Sequence, residues 1–215
     1  QATWSAERRL AFIDAVKRQY AAQGWAPPRL QDLEQDNCRV VTVGHQLVVC
    51  GGAAFLHHKV FSAIRTARGL ELAWGVPVVP VFWMASEDHD WKEAARVDGK
   101  SATHNWIPDD VSIPNPVGRL ATHGLDALVR AWGEDGAPAS VVNDLIQDLD
   151  AVEREGGRYA QVFFRWMHRW HGHHGLVVLD PADEALKVSC AELWAREMRD
   201  EGVRQALANT EAMQG

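Results

Sequence analysis

Apolar residues recur at helical spacing at Leu10, Ile13, Val16 and Tyr20, behind a Ser5 placed to cap, and Gly24-Trp25-Ala26-Pro27-Pro28 then breaks the pattern. This predicts a first helix. Residues 39–43 form a short β-branched run that stops at Gly44, after which Leu56, Val60, Ile64 and Ala67 mark one face of a long helix reaching about Trp74. The pair reads as a strand and its crossover helix. Residues 77–84 are almost entirely apolar, as expected of a strand covered on both faces in a parallel sheet. That run ends abruptly in acid, at Glu87-Asp88-His89-Asp90.

Residues 98–118 are rich in Gly, Asn, Asp and Pro and read as an irregular connection or small hairpin. Helical patterns follow at about 125–132 and between 140 and 152, where Val142, Leu145, Ile146 and Leu149 share a face. A third helical pattern groups Tyr159, Phe163, Trp166 and Trp170. Residues 175–181 then have the form of another buried strand closed by a turn, with helical sequence from about Asp183 to the end. Strands alternating with long helices predict an α/β fold with a parallel, doubly wound sheet, in which ligands bind outside the carboxyl ends of the strands.

Composition narrows the function classes. A chain of 215 residues with 47% hydrophobic content supports one main domain. A formal charge of −7 leaves no basic field for a phosphate backbone, so nucleic acid is not expected as a partner. The longest apolar stretch, 76–85, contains two prolines and falls short of the roughly 20 residues a membrane helix needs. With no signal-like leader at its start, the chain is expected to be cytoplasmic. Cys38, Cys50 and Cys190 lack C-x-x-C spacing and read as reduced thiols.

The strand ends are the places to look for chemistry. Gly44-His45-Gln46 closes the first, and the helix after it can turn N–H groups and its positive dipole end toward a phosphate or carboxylate. Gly51 and Gly52 permit close backbone approach. Neither G-x-x-x-x-G-K-[ST] nor G-x-G-x-x-G is present. At the second strand end, three carboxylates surround His89 and need a positive neighbour: a substrate ammonium, a metal, a basic side chain or a helix N-terminus. In extended backbone Glu87 and His89 would share one side, Asp88 and Asp90 the other; general base, ammonium binding, metal ligation and a solvated helix cap are all open readings. Lys59 is placed about four turns into the helix that opens at this site, and of the ten tryptophans only Trp83 and Trp91 lie near enough to be walls. His168, His171, His173 and His174 look like a metal tract but fall at a helix end, where the carbonyl dipole commonly places histidine. His57 and His58 read as surface or packing residues, and no metal site is expected.

Val43-Gly44-His45-Gln46-Leu47, Gly52, Lys59 and the long stretch from Val79-Pro80-Val81-Phe82-Trp83-Met84 through Ala85-Ser86-Glu87-Asp88-His89-Asp90 resemble the bacillithiol biosynthesis cysteine-adding enzymes, the cysteine ligases. Pro116-Val117-Gly118-Arg119-Leu120, the 175–181 segment and Lys187 add to the resemblance. Val43 and Ala53 depart from the family's usual Thr and Pro, and His58 from a common aromatic. The resemblance implies a Rossmann-like core similar to class I aminoacyl-tRNA synthetases, with residues 1–38 as a helical segment and 39–215 as the first part of that core. The rest of the core and a dimerising coiled coil would lie in further sequence. It also implies addition of cysteine to the amine of glucosaminyl malate, with ATP as activator by analogy. His45, Gln46, Glu87, Asp88, His89 and Asp90 are then the expected catalytic residues, with Gly44, Gly52, Lys59, Trp83 and Arg119 binding substrate. A nucleotide-binding synthetase-like protein and a non-catalytic binding fragment are the other readings.

Overall fold

The structure, a computed structural model, describes residues 5–108 and 115–199. Helix α1 (Ala6–Ala22) opens on Ser5, whose side chain accepts from the Arg8 N–H and so satisfies one of the free donors of the first turn. It buries Phe12, Ile13, Ala15, Val16 and Tyr20. Leu10, expected on the buried face, is 55% exposed: Phe12 stands one turn before Val16 and takes the inward position, leaving Leu10 off the edge of the stripe. After the proline break comes one unanticipated helical turn, α2 (Leu30–Leu33). Before it, Arg29 adopts a left-handed conformation, φ 55°, and its guanidinium reaches Asp32, Glu71 and the Val78 carbonyl.

Strands β1 (Arg39–His45), β2 (Val78–Met84) and β5 (Val177–Leu179) form one parallel sheet in the order β1-β2-β5. All of β2 except Trp83 is buried, which explains its unbroken apolar sequence: it is the central strand, covered on both faces. Helix α3 (Ala54–Trp74) packs on β1 and β2, while α1 and α7 (Tyr159–His171) pack on β5. This is a Rossmann-like α/β arrangement.

Between β2 and α5 (Leu125–Glu134) lie a single turn, α4 (Trp91–Ala94), and an antiparallel hairpin of β3 (Arg96–Asp98) and β4 (Thr103–Asn105). The small hairpin was among the expectations for residues 98–118, of which 109–114 lie outside the described residues. Asp135, just past α5, accepts from the Ser101 and Ala102 N–H groups, the Ser101 hydroxyl and His104 Nε2, clasping hairpin to helix.

Helix α6 (Ala139–Arg154) joins α7 through a bidentate pair, with Arg169 Nε and Nη2 each 2.7 Å from the buried Asp148 carboxylate. Trp106, Tyr159, Phe163 and Trp166 are fully buried in the same core. The Trp106 and Trp166 indole N–H groups donate to the His123 and Leu145 carbonyls, so burial of these rings, about 3 kcal/mol each, strands no polar group. Helix α8 (Glu184–Arg199) lies beside α1; the expected continuation to the C-terminus falls on residues 200–215, outside the described residues.

Candidate active site at the strand ends

Parallel pairing of β1 with β2 sets Gly44 opposite Trp83 and His45 opposite Met84. The Ala85 N–H then donates to the His45 carbonyl at 3.1 Å. Two segments some forty residues apart in sequence thereby end side by side. Gln46 crosses the gap, its amide Nε2 donating to Asp88 Oδ2 at 2.5 Å. That bond fixes which way the amide faces, since the reverse orientation would set two acceptors against each other. Gln46 Oε1 is consequently left buried without a donor.

Residues 85–90 do not continue the strand as extended backbone, so the expected alternation of Glu87 and His89 against Asp88 and Asp90 is replaced by a turn. The Asp88 N–H donates to the Ala85 carbonyl, and the Asp90 N–H to Asp88 Oδ1 at 3.0 Å. The turn is held from outside by the 3-10 segment Val117–Arg119: the Val117 N–H donates to the Asp88 carbonyl at 2.7 Å and the Gly118 N–H to the Ser86 carbonyl at 2.8 Å. A side chain at 118 would have its Cβ 2.8 Å from Ser86 Cβ, so glycine is required for this close approach. Arg119, exposed, follows Gly118 directly in this segment.

The acids divide into separate roles. Asp90 caps α4, accepting from the Glu93 N–H at 3.1 Å, and so behaves as the helix-cap reading expected. Glu87 is joined by Lys187 from α8. Asp88, one-third exposed, faces Gln46; the Asp90 N–H, then Gln46, hold its carboxyl below the usual range, so it stays charged. His89 is exposed beside Asp88, Nδ1 to Oδ1 3.6 Å.

On the β1 side, His45 Nδ1 lies 3.2 Å from the Gln46 carbonyl, and its ring meets Phe55 at 6.3 Å between centroids. Lys59 is not four turns into α3 but in its second turn, because the helix opens only at Ala54. Its ammonium donates to the Gly44 carbonyl at 2.9 Å and lies 5.5 Å from the Phe55 ring centroid. Trp83, 46% exposed near the end of the central strand, stands in register between Gly44 of β1 and Leu179 of β5, whereas Trp91 packs partly into the core. The connection from β1 to α3 passes through three left-handed residues, Cys50, Gly51 and Gly52. What approaches those glycines is protein: a Cβ would meet Trp170 at Gly51 and Val48 at Gly52. Tyr159 anchors this connection, its buried hydroxyl donating to the Leu47 carbonyl at 2.8 Å.

The histidine tract lies elsewhere. His57 Nδ1 and His171 Nε2 are 3.0 Å apart, and His168 stacks on Trp25. Burial lowers the pKa of His57, His168 and His171, the last to about 4. They are neutral packing groups, not charges drawn to the end of a helix dipole. No three His, Cys, Asp or Glu side chains converge as a metal-ligand set among the described residues, and no helix among them is long and apolar enough to cross a membrane.

The contributions of Ser86, Asp180 and Lys187 could not be read from residue pattern, because each acts across more than ninety residues of sequence or through backbone pairing. Three strand ends in one parallel sheet, and the resemblance that includes Ser86, residues 175–181 and Lys187, were the signals that placed them near the site.

Comparison with known proteins agrees with the Rossmann-like arrangement of the sheet. Residues 2–214 match the family described as "Bacillithiol biosynthesis BshC, N-terminal Rossmann-like domain". A relative in Geobacillus thermodenitrificans (strain NG80-2), named "Putative cysteine ligase BshC", is 28% identical over 185 residues, 82% of this chain and 33% of the relative. Proteins of the same name from Flavobacterium johnsoniae and Salinibacter ruber are 27% and 30% identical, covering 83% and 78% of this chain and 34% and 31% of their own lengths. The chain spans about a third of the length of these relatives. With its parallel sheet and the match running nearly end to end, the chain belongs to the family of BshC N-terminal Rossmann-like domains of bacillithiol biosynthesis.

Proposed function

We propose that this region supplies one wall of the active site of a ligase that joins the carboxylate of L-cysteine to the amine of glucosaminyl malate, giving bacillithiol. The observation that carries the reading is the Gln46–Asp88 contact across the ends of β1 and β2, which sets an anionic turn against a basic and imidazole-bearing edge. A zwitterionic amino acid needs both. Asp88 is charged and one-third exposed, with the exposed His89 beside it and no Lys or Arg paired to it among the described residues, so it receives the cysteine ammonium. Glu87 is taken by Lys187 and Asp90 by its helix cap, which leaves His89 as the base that accepts a proton from the attacking amine. His45, with Lys59 holding the strand end behind it, faces the acyl group where negative charge develops. Gly44 shapes the backbone around the ligand while Gly52, packed on Val48, shapes the turn into α3; Trp83 lies beside the ligand, and Arg119 takes an anionic group of malate or nucleotide.

A carboxylate does not acylate an amine unaided, and ATP is the proposed activator by analogy with class I synthetases. Completion of the core, a coiled coil and dimerisation belong to the longer protein and to the same proposal. The test is incubation of full-length protein with cysteine, glucosaminyl malate and ATP, followed by mass spectrometry. Bacillithiol with AMP is the expected result; bacillithiol without AMP rejects adenylation only, and absence of both rejects the ligase. Asp88→Asn is expected to raise KM for cysteine by about tenfold or more while KM for the amine substrate stays unchanged.

A further inference from the structure

The third strand end is not idle. The geometry points to Asp180, immediately after β5, as a positioning residue that fixes the Glu87–Asp88 turn through Ser86; the functional part of this inference rests on the ligase reading. Ser86 is 2% exposed and its hydroxyl donates to Asp180 Oδ1. The same oxygen accepts from the Ala182 N–H at 3.0 Å, so the carboxylate is tied to its own turn. The Asp180 backbone is held in both directions by one side chain of α1: its N–H donates to Gln19 Oε1 and its carbonyl accepts from Gln19 Nε2, each at 2.8 Å. Asp180 is therefore a fixed point, built from α1 and β5, against which Ser86 is registered.

From Ser86 the constraint passes to the acids. Its carbonyl accepts from Gly118, and two residues on Asp88 is gripped by Val117 on its carbonyl and by Gln46 on its carboxylate. A turn that must hold Asp88 against the end of β1 loses one of its anchors if Ser86 can rotate. A charged acceptor gives the hydroxyl bond extra strength and a single direction, and a buried hydroxyl left without it would carry a desolvation cost. Asp180 Oδ1 bonds the Ser86 hydroxyl and the N–H of its own turn, so its part is support.

The experiment uses full-length protein with Asp180→Ala, Asp180→Asn, Ser86→Ala and the Ser86→Ala/Asp180→Ala pair. Amide hydrogen exchange over residues 85–91 reads the brace without reference to any reaction. Asp180→Ala and Ser86→Ala are each expected to speed exchange there by about tenfold, with the double variant no faster than either single one, because both remove the same bond. Asp180→Asn keeps the acceptor oxygen and is expected to restore slow exchange. In the ligase assay Asp180→Ala lowers kcat/KM for cysteine by about tenfold or more, and Asp180→Asn recovers most of it. Unchanged exchange in both Asp180→Ala and Ser86→Ala overturns the proposal. So does an Asp180→Asn protein with slow exchange but the full kinetic loss, which would make the charge itself a substrate contact. Should wild-type protein form no product from cysteine, the ligase reading fails, while the exchange data still decide the brace. Ser86→Ala, which removes only a hydroxyl, carries the same comparison where Asp180→Ala does not fold.

Discussion

Lys59 shows how a side chain can be legible as important and still be misplaced. Counting from the glycine at the end of the first strand put it deep in the following helix, but the left-handed turn at Cys50–Gly52 consumes that distance and brings Lys59 back over Gly44. An ammonium bonded to the last carbonyls of a strand holds the strand end, and a charge-assisted bond of this kind contributes about 1 kcal/mol when partly solvated. Lys59→Met retains the aliphatic stem over Phe55 but not the donor. It is expected to lower kcat/KM of the full-length enzyme about fivefold to tenfold, with little change in the unfolding midpoint, and steady-state kinetics beside thermal melts check both. Equal losses in kcat and kcat/KM would show Lys59 acting only after substrate is bound. His45, Gln46 and the acids were visible as chemistry because their residue types are unusual after buried strands. Their partners were not, since Gln46 meets Asp88 only through the strand register.

Strands and long helices were readable because each has one dominant period: β2 is apolar throughout as a central strand, and α3, α6 and α7 keep their stripes. Short elements were not, as α2 and α4 are single turns without a period to detect. The bend of the acidic segment is not legible in its residues for a related reason. It is imposed by Val117 and Gly118 from outside, and nothing in Glu87-Asp88-His89-Asp90 itself encodes that partner. The β3–β4 hairpin is similarly held from outside, by Asp135, and this gives a pH prediction. The Ser101 hydroxyl, then His104 and the Ala102 and Ser101 N–H groups, hold the Asp135 carboxyl well below its ordinary 3.8. A carboxyl depressed in the folded state stabilises fully above its unfolded value, and that contribution is lost as pH falls below about 4. Asp135→Asn should therefore lower the urea midpoint at pH 7, and the gap from wild type should begin to narrow below about pH 4 and go on narrowing as the pH falls toward the depressed folded-state value. A gap that stays constant across that range would place the effect in lost packing and not in charge.

The whole chain has a second acid-sensitive element, and its net charge helps to isolate it. At pH 7 the formal charge is −7 and the pI is near 5.8, so acidification from neutrality first reduces self-repulsion and by that effect alone would stabilise the fold. The buried histidines work in the opposite direction. His57 on α3 meets His171 at the end of α7, in a contact that joins the helix covering β1 and β2 to the helix covering β5. Burial first, then neighbouring His57, His174 and His173, push His171 down to about 4, and its Nδ1 is buried without a partner. A histidine depressed on folding costs nothing above the unfolded value of 6.5; as pH falls below that, the unfolded chain takes up a proton the folded one resists. Stability is therefore lost between about pH 6.5 and pH 4, by about 3 kcal/mol from His171 alone, and this group adds nothing further below. His171→Phe removes the titrating ring while keeping an aromatic against Phe61. Urea midpoints measured from pH 7.5 to 4.5 should fall steeply for wild type and much less for this variant, with the two curves separating first near pH 6.5. Parallel curves would assign the acid sensitivity to carboxylates, and a wild-type midpoint that rises toward the pI would show the net-charge effect to be the larger of the two.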